Sequence, residues 1–505
     1  MLNSIRVSIK DTFVYGLGNM AVKVIGFILI PLYTNPKYFT IDDFGVLGLL
    51  DISGLVLTAF LASALPQSLT RWFWDKDHIK NQKGVFFLSL TTQIVISLIF
   101  CLLLISLSGT LSEIIFRKPD WGRIITLVIL ASGIQAVNNI VNTLMRLQSR
   151  SVLYTITNLS KLTLVLFLTL YFIISRKMGL EGIYLAQVIG NTFFLIILSV
   201  YTIRNSSVFF NWGIFKSMNI YGFPLLLGNV SAVFLNVIDR YSLNSLTILK
   251  YVALYTLAYK IASVLKLVIV DSVRMAIAPM MFKRIDTPDN KRFYSKVLLY
   301  TSFVLMFAIV GISMFSLEII KVITGSAEFW DAVVIIPVLS ISVFFVNMKE
   351  VTIYGLYITK KTRTIGLIVF FATVMNLILN LVLIPLWDIN GAALATLLSQ
   401  LLYWYACFHF SQRSFYVPYE IRKIILIFIT GAMLSFLSLA FNEMNLLPRL
   451  FFKSISLISF PFILYIFNFY EKIELQSIRG FVMKWSKISR LGENIKSLKG
   501  LRDEY

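Results

Sequence analysis

The sequence predicts an all-α membrane protein of about fourteen transmembrane helices, two six-helix bundles around a central cavity with two accessory helices at the carboxyl end. Three observations predict it. Of the 505 residues, 58% are hydrophobic and only 14% charged, and mean hydropathy is +0.81. A soluble domain carries about 25% charged residues, so lipid must solvate most of this surface. The apolar segments run from one end of the chain to the other, each meeting the roughly 20 residues that a crossing needs. Between them, Lys and Arg gather in alternate connections, which sets topology by the positive-inside rule.

In chain order, spans are predicted near 12–33, 44–66, 85–106, 124–145, 152–174, 182–203, 221–242, 252–274, 295–316, 331–353, 364–386, 390–410, 423–441 and 450–469. Connections reach at most about 20 residues, too short for a catalytic domain. The first span is expected to be retained, because no short apolar stretch ends in a small-residue cleavage site. With the amino terminus inside, inner connections and tails carry about 29 Lys and Arg against about 9 outside. Both termini are therefore expected in the cytoplasm, and the membrane is expected to be the cytoplasmic, or inner, one. The net charge of +21 belongs to these connections, and no nucleic-acid partner is expected. Cys101 and Cys407 fall at opposite ends of their spans and should not meet.

A weak internal repeat organises the helices. GLEGIYLAQ from Gly179 opens the sixth span and DINGAALAT from Asp388 opens the twelfth, about 209 residues on. The inner connections RLQSR at Arg146 and TKKTR at Thr359 fall near the same offset. Six helices separate each pair, so the copies share one orientation, with a path between the bundles. The predicted divisions are 1–210 and 211–415 for the bundles, 416–470 for helices thirteen and fourteen, and 471–505 for a basic tail. That tail reads equally as an amphipathic helix on anionic lipid and as a solvated end.

Charge at the bilayer centre costs about 2.5–3.5 kcal/mol on insertion scales, so such residues face a bundle interior or a wet cavity. The candidates are Lys23, Asp51, Lys161, Asp239 with Arg240, Lys260, Lys266, Asp271, Arg274, and Lys349 with Glu350. Lys23, Lys161, Lys260 and Lys266 fall near mid-span, and this deep set is wholly cationic, which suits an anion. Gly16, Asn19, Lys23 and Gly26 share one helix face, as do Gln135, Asn138, Asn142 and Arg146. Gln187 with Asn191, and Asn376 with Asn380, stand one turn apart. Lys260, Asp271 and Arg274 are predicted within about 60° around their helix, with Lys266 elsewhere. Amides and ammonium groups suit sugar hydroxyls and phosphates, although Asn and Gln stripes also glue helices together. No acid partner is evident for Lys161 or Lys260; Asp51 has Lys23 as a possible partner, Asp271 has Arg274, and Asp239 with Arg240 reads as an interfacial pair. Lys453 is expected to snorkel from an outer end. No phosphate-binding G-x-x-x-x-G-K-[ST] loop or H-E-x-x-H motif occurs, so no cofactor, metal or enzyme activity is expected.

Four segments then carry a family resemblance: FILIPLYTNPKYFTIDDFGVLGLLD from Phe27, YGFPLLLGNVSAVFLNVIDRYSL from Tyr221, VALYTLAYKIA from Val252 and LNLVLIPLWDINGAALATLLSQ from Leu379. In this order and spacing the chain resembles the lipid-linked oligosaccharide flippases of cell-surface polysaccharide synthesis, O-antigen flippases among them, in the superfamily that also holds multidrug and toxin extrusion exporters. The resemblance implies an undecaprenyl-pyrophosphate-linked oligosaccharide moved from the inner to the outer leaflet, with a polysaccharide polymerase and other assembly proteins as partners alongside membrane lipids. It implies cationic cavity residues that meet the pyrophosphate, carried to Lys23 and Arg240, which lie in matching segments. The substrate-binding set is thus Lys23, Lys161, Arg240, Lys260, Lys266, Asn19, Asn138 and Asn142, with Asp51, Asp239 and Asp271 as candidates for ion coupling. Rival readings are an ion-coupled multidrug or small-molecule exporter, which would want an acidic cavity, and a polysaccharide polymerase, which would want a long outer loop. Replacing Lys23→Ala is expected to abolish translocation while the protein stays in the membrane; undiminished flipping by that variant removes Lys23 from the mechanism.

Overall fold

The computed structural model describes residues 26–75, 81–117, 119–283, 285 and 287–476. Among them every long element is a helix and no strand occurs. Twelve segments are long and apolar enough to cross a bilayer. The longest, Thr362–Ser414, has 53 residues, about 80 Å as one helix, against a hydrocarbon layer of about 30 Å. Its backbone breaks at Trp387 (φ −139°, ψ 19°) and Asp388 (φ 47°, ψ −125°), so it is two helices joined by a tight turn. Twelve segments, one of them double, make thirteen crossings. The first predicted span lies mostly outside the described residues, so the expected count of about fourteen is matched only up to that helix.

In chain order the helices are α1 (Ile30–Tyr33, the end of the first span), α2 (Ile41–Phe73), α3 (Gln82–Ser106), α4 (Gly122–Leu147), α5 (Ser151–Ser175), α6 (Gly179–Ile197), α7 (Trp212–Leu246), α8 (Leu249–Met275), α9 (Asn290–Met314), α10 (Ala327–Ile358), α11 (362–386), α12 (389–414), α13 (Ile421–Ala440) and α14 (Leu446–Ile466). Local chemistry starts several of them. Thr40 and Asp43 form a capping box on α2: the Asp43 N–H donates to Thr40 Oγ1 at 3.1 Å and the Thr40 N–H to Asp43 Oδ2 at 2.9 Å. The Asn211 side chain accepts from the Ile214 N–H at 3.0 Å and begins α7 nine residues earlier than hydropathy suggests.

Helices α2–α6 pack on one another, and α7–α12 do likewise. Helix α2 joins the halves by packing on both α7 and α8, while α13 and α14 lean mainly on α9, with Phe428 of α13 also meeting Phe344 and Phe345 of α10. The repeat is visible as matched backbone geometry. Ser149 and Lys360 both take left-handed φ (53° and 57°), and the next N–H reaches back five residues in each copy, Arg150 to Met145 O at 2.8 Å and Lys361 to Leu356 O at 2.9 Å. At the opposite end, α6 follows Gly179 (φ +57°) and α12 follows Asp388 (φ +47°). Gly182 and Gly391, 209 residues apart, each let a helix start touch the end of the one before: a Cβ would meet Phe172 Cβ at 2.7 Å and Leu383 O at 2.0 Å. Only the second contact is with backbone, which cannot yield.

The two halves share one continuous core near the turns around residues 34–40, 245–249 and 325. Buried side chains of α2, α4, α6, α8 and α10 contribute to it, among them Leu49, Ile129, Tyr184, Tyr255 and Ile335. Cys101 and Cys407 are both buried and unpaired, as expected. Lys453 departs from expectation. It is fully buried, with its ammonium donating to both carboxylate oxygens of Glu318 (2.9 and 3.1 Å) and to Asn442 Oδ1 (2.9 Å). Three oxygens inside the protein replace the water it would otherwise have reached for. Replacing Gly391→Val should force α11 and α12 apart and remove most folded protein from detergent extracts, whereas Gly366→Val, where a Cβ meets open space, should leave the yield intact.

Candidate functional site

The place where α2 meets α8 is set by two glycines. A Cβ at Gly45 would lie 2.6 Å from the Leu249 carbonyl oxygen, and one at Gly48 would lie 2.5 Å from Thr256 Oγ1. Small residues at this spacing let the helix backbones touch. One turn further along, the close contact ends at charge: Asp51 Oδ2 stands 3.6 Å from Lys260 Nζ. Asp51 also accepts the Tyr184 hydroxyl from α6 at 3.0 Å, and Lys260 lies 5.4 Å from the centre of the Phe44 ring. Ten or eleven residues of helix separate this pair from the turns at Ile41 and Leu249, about 15 Å, which is mid-bilayer depth. Yet 37% of the Asp51 side chain and 27% of the Lys260 side chain are exposed. Charge at this depth favours a bundle interior or a water-filled space over lipid.

Across that level, Lys161 of α5 donates to Gln135 Oε1 of α4 at 3.0 Å and lies 5.2 Å from the Phe194 ring. Gln135 in turn donates to Asn139 at 2.9 Å. No carboxylate pairs with Lys161 among the described residues. Lys161 is ten residues from the start of α5, again about 15 Å deep.

The carboxylate of Asp239 is almost wholly buried and serves another purpose. It accepts the Tyr255 hydroxyl of α8 at 2.9 Å, the Asn380 amide of α11 at 2.8 Å and the Thr396 hydroxyl of α12 at 3.0 Å. The Asn376 carbonyl oxygen accepts from Asn380 at 3.2 Å, and its amide donates to Ser399 at 3.0 Å. Four helices therefore converge on one carboxylate held by neutral donors. Asn380 Oδ1 is buried there without a hydrogen-bond partner. The expected interfacial pairing of Asp239 with Arg240 does not form. The Arg240 guanidinium turns instead over the Tyr259 ring, 4.3 Å from its centre, with one bond to the Asn236 carbonyl at 3.3 Å.

Lys266 lines a small cleft with Asn236, Asp239, Tyr259, Thr396 and Gln400. It also opens a π-helical segment, Lys266–Val270, within α8. A π turn holds an extra residue and rotates everything beyond it. That rotation corrects the face predicted from regular spacing: Lys260 meets α2, whereas Arg274 meets Asp271 at 3.6 Å and Glu350 of α10 at 3.9 Å. Glu350 is also paired with Lys349. Asp271 and Arg274 do offset each other, as expected.

The remaining candidates sort as follows. Lys23 and Asn19 lie outside the described residues. Asn138 is buried and donates to the Asn191 carbonyl at 3.2 Å; Asn142 accepts from Asn158 at 2.9 Å. Both are occupied in joining α4 to α6 and α5, which favours the glue reading over ligand binding. Two expectations about partners change: Lys260 has an acid neighbour after all, and that neighbour is Asp51, for which Lys23 had been the candidate. Tyr184, Tyr255, Thr396 and Asn139 were not expected. They are uncharged, so a search for intramembrane charge passes over them, and only their place beside Asp51, Asp239 and Gln135 marks them.

The profile of the polysaccharide biosynthesis protein family matches residues 8–284, more than half of the chain. The chain belongs to that family. A comparison with curated proteins finds no match. Among solved structures, the fold is similar to the lipid II flippase MurJ in an inward closed conformation, with TM-score 0.68, 13% identity, 91% of this chain and 100% of that one covered. It is also similar to an inward-facing multidrug resistance MATE transporter of the MOP superfamily (TM-score 0.65, 13% identity, 82% and 95% covered). A MOP superfamily transporter from Pyrococcus furiosus, described by a binding pocket of reverse polarity, matches with TM-score 0.53 and 15% identity over 81% and 95%. The family member described here is thus a multi-pass membrane protein of polysaccharide biosynthesis with the fold of these transporters.

Exchanging Asp51→Lys together with Lys260→Asp should preserve the α2–α8 contact, while either change alone sets like charges about 4 Å apart and should loosen it. The melting temperature of the purified protein in detergent reads the difference: the double variant should melt close to the parent, and each single variant several degrees lower.

Proposed function

We infer that this protein is a transporter rather than an enzyme, and that it moves undecaprenyl-pyrophosphate-linked oligosaccharide repeat units from the cytoplasmic to the outer leaflet of the inner membrane. The observation that carries this reading is the excess of positive charge at mid-bilayer depth within the protein. Among the described residues, Lys161 and Lys260 stand there with Asp51 as the partly exposed carboxylate, and Lys266 lies further along α8 in a cleft that it shares with the buried Asp239. A sugar pyrophosphate cannot enter hydrocarbon, because its hydrogen bonds to water would be lost. Ammonium groups in a wet space replace those bonds while the prenyl tail stays in lipid. Lys161, held by a neutral amide, is the cation with charge to spare, and Lys260 becomes a second whenever Asp51 lets it go.

Membership of a polysaccharide biosynthesis family supports the class of cargo. The core shared by α2 and α8 closes the end of the molecule that bears the sparse outer charges, which fits a state open to the basic, cytoplasmic side. Outward movement of an anion is favoured by about 2.3 kcal/mol per charge per 100 mV of inside-negative potential. Asp239 is the residue for ion coupling in this reading. Asp51 and Asp271 each form an ion pair, whereas Asp239 accepts from the neutral donors of Tyr255, Asn380 and Thr396 and has no salt bridge among the described residues.

Replacing Lys161→Gln keeps a partner for Gln135 but removes the charge. In a strain lacking the chromosomal copy, it should cut surface polysaccharide by about tenfold or more and leave lipid-linked repeat units on the cytoplasmic side, with unchanged protein level. Single repeat units on the outer side would instead indicate a polymerase and overturn the proposal.

A further inference from the structure

The end of the molecule opposite the basic connections is poor in Lys and Arg, and most of those described there are already engaged. Arg123 pairs with Glu181 at 2.8 Å, Lys250 with Asp331 at 3.4 Å and Arg449 with Glu318 at 2.8 Å. Arg117 donates to the Ser245 carbonyl and Arg176 to the Tyr171 hydroxyl. Lys321 lies over the Trp330 ring at 4.3 Å. Lys37, which lies 5.5 Å from the Tyr38 ring, and Lys177 have no carboxylate partner among the described residues, and they line one cleft of about 470 Å³ together with Tyr38, Ile173, Ile174 and Gly179.

The cleft has two chemistries. One side is apolar: Ile173 is buried and Ile174 is 47% exposed on the outer surface of α5, where lipid chains lie. The other side is cationic, with Lys37 on the turn after α1 and Lys177 on the turn that begins α6. Gly179, in the left-handed conformation, opens the 19-residue α6 at the same edge, so its unbonded N–H groups add partial positive charge. No carboxylate lines the cleft; Asp43 is held in the α2 capping box, Glu181 is paired with Arg123, and Asp42 is exposed at the start of α2. Nothing in the packing of α5 on α6 requires two unpaired ammonium groups at this margin. Their placement over an apolar, lipid-facing floor matches a phosphate carried on a lipid chain.

We propose that the Lys37–Lys177 cleft is a second binding site, at the outer leaflet, for the phosphate group of a lipid. That phosphate belongs either to the pyrophosphate of a delivered prenyl lipid or to the headgroup of an anionic phospholipid; the outer-leaflet placement rests on the transport reading above. The ammonium groups supply point charges for phosphate oxygens, the α6 N-terminus supplies backbone donors, and the Ile173–Ile174 floor holds the start of the chain.

A photoreactive benzoylphenylalanine in place of Ile174 reads occupancy of the cleft directly. The variant is reconstituted in nanodiscs of digalactosyl diacylglycerol, which lacks phosphate, alone or with undecaprenyl pyrophosphate or phosphatidylglycerol added. Phosphate-bearing lipid should raise the lipid adduct by about tenfold over the galactolipid alone, and K37Q with K177Q should return it to the galactolipid level. An adduct with undecaprenyl pyrophosphate only assigns the delivered prenyl lipid; an adduct with both assigns lipid phosphate generally; an adduct with phosphatidylglycerol only assigns the phospholipid. Equal labelling in all discs, or labelling that ignores the two lysines, overturns the site. Carrying Lys161→Gln in the same chain separates this test from the transport reading: loss of translocation with the adduct retained shows two independent sites, and the phosphatidylglycerol arm reads the cleft even if the chain moves no sugar.

Discussion

The contact of α2 with α8 is the constraint on which the rest of the architecture depends. Two glycines bring the helix backbones together near the turns at Ile41 and Leu249, and a carboxylate and an ammonium group end that contact about halfway along the helices. Gly45 cannot be enlarged without moving the Leu249 carbonyl, nor Gly48 without displacing the Thr256 side chain, so the distance between the halves is fixed at one end. The ion pair sits where close packing gives way to open space. Its strength depends on how much water reaches it, because Coulomb energy scales inversely with the local dielectric constant. With about a third of each side chain exposed, solvent screening weakens the pair.

Two carboxylates in the membrane are treated in opposite ways. Asp51 is wet and faces a cation across the junction of the halves. Asp239 is dry and is stabilised by hydroxyl and amide donors from three other helices. A buried carboxylate satisfied by neutral donors ties together the junction of α7, α8, α11 and α12, because each donor comes from a different helix. Any change at Asp239 is felt by α8, through Tyr255, and α8 also carries Lys260 and Lys266. One helix thereby links the buried carboxylate of α7 with Lys260 and Lys266.

The repeated half is economical in what it preserves. Corresponding turns keep a left-handed residue, a five-residue hydrogen bond and a glycine at the start of the next helix, while the side chains between them diverge. Backbone geometry at turns is the shared feature because it sets helix direction, and helix direction sets the bundle. The charges that differ between copies, Lys161 in one and Asp239 in the other, give each half its own chemistry.

Sequence alone determined the class of fold, the number and order of the crossings within the described residues, the places where the two copies correspond, and which ionisable residues lie in the membrane. Those properties follow from local composition: a span must be apolar along its length, and a turn must hold residues that tolerate it. Tertiary structure alone decided the pairing of those charges. Lys260 found Asp51 because Gly45 and Gly48 let two distant helices touch, and a π turn after Leu265 swung Arg274 toward Glu350 rather than into line with Lys260. Tyr184, Tyr255 and Thr396 gained their parts only from three-dimensional neighbours, since an uncharged hydroxyl in an apolar helix carries no mark in the sequence. Periodicity reports which way a side chain points on its own helix; what it meets is fixed by how the helices pack.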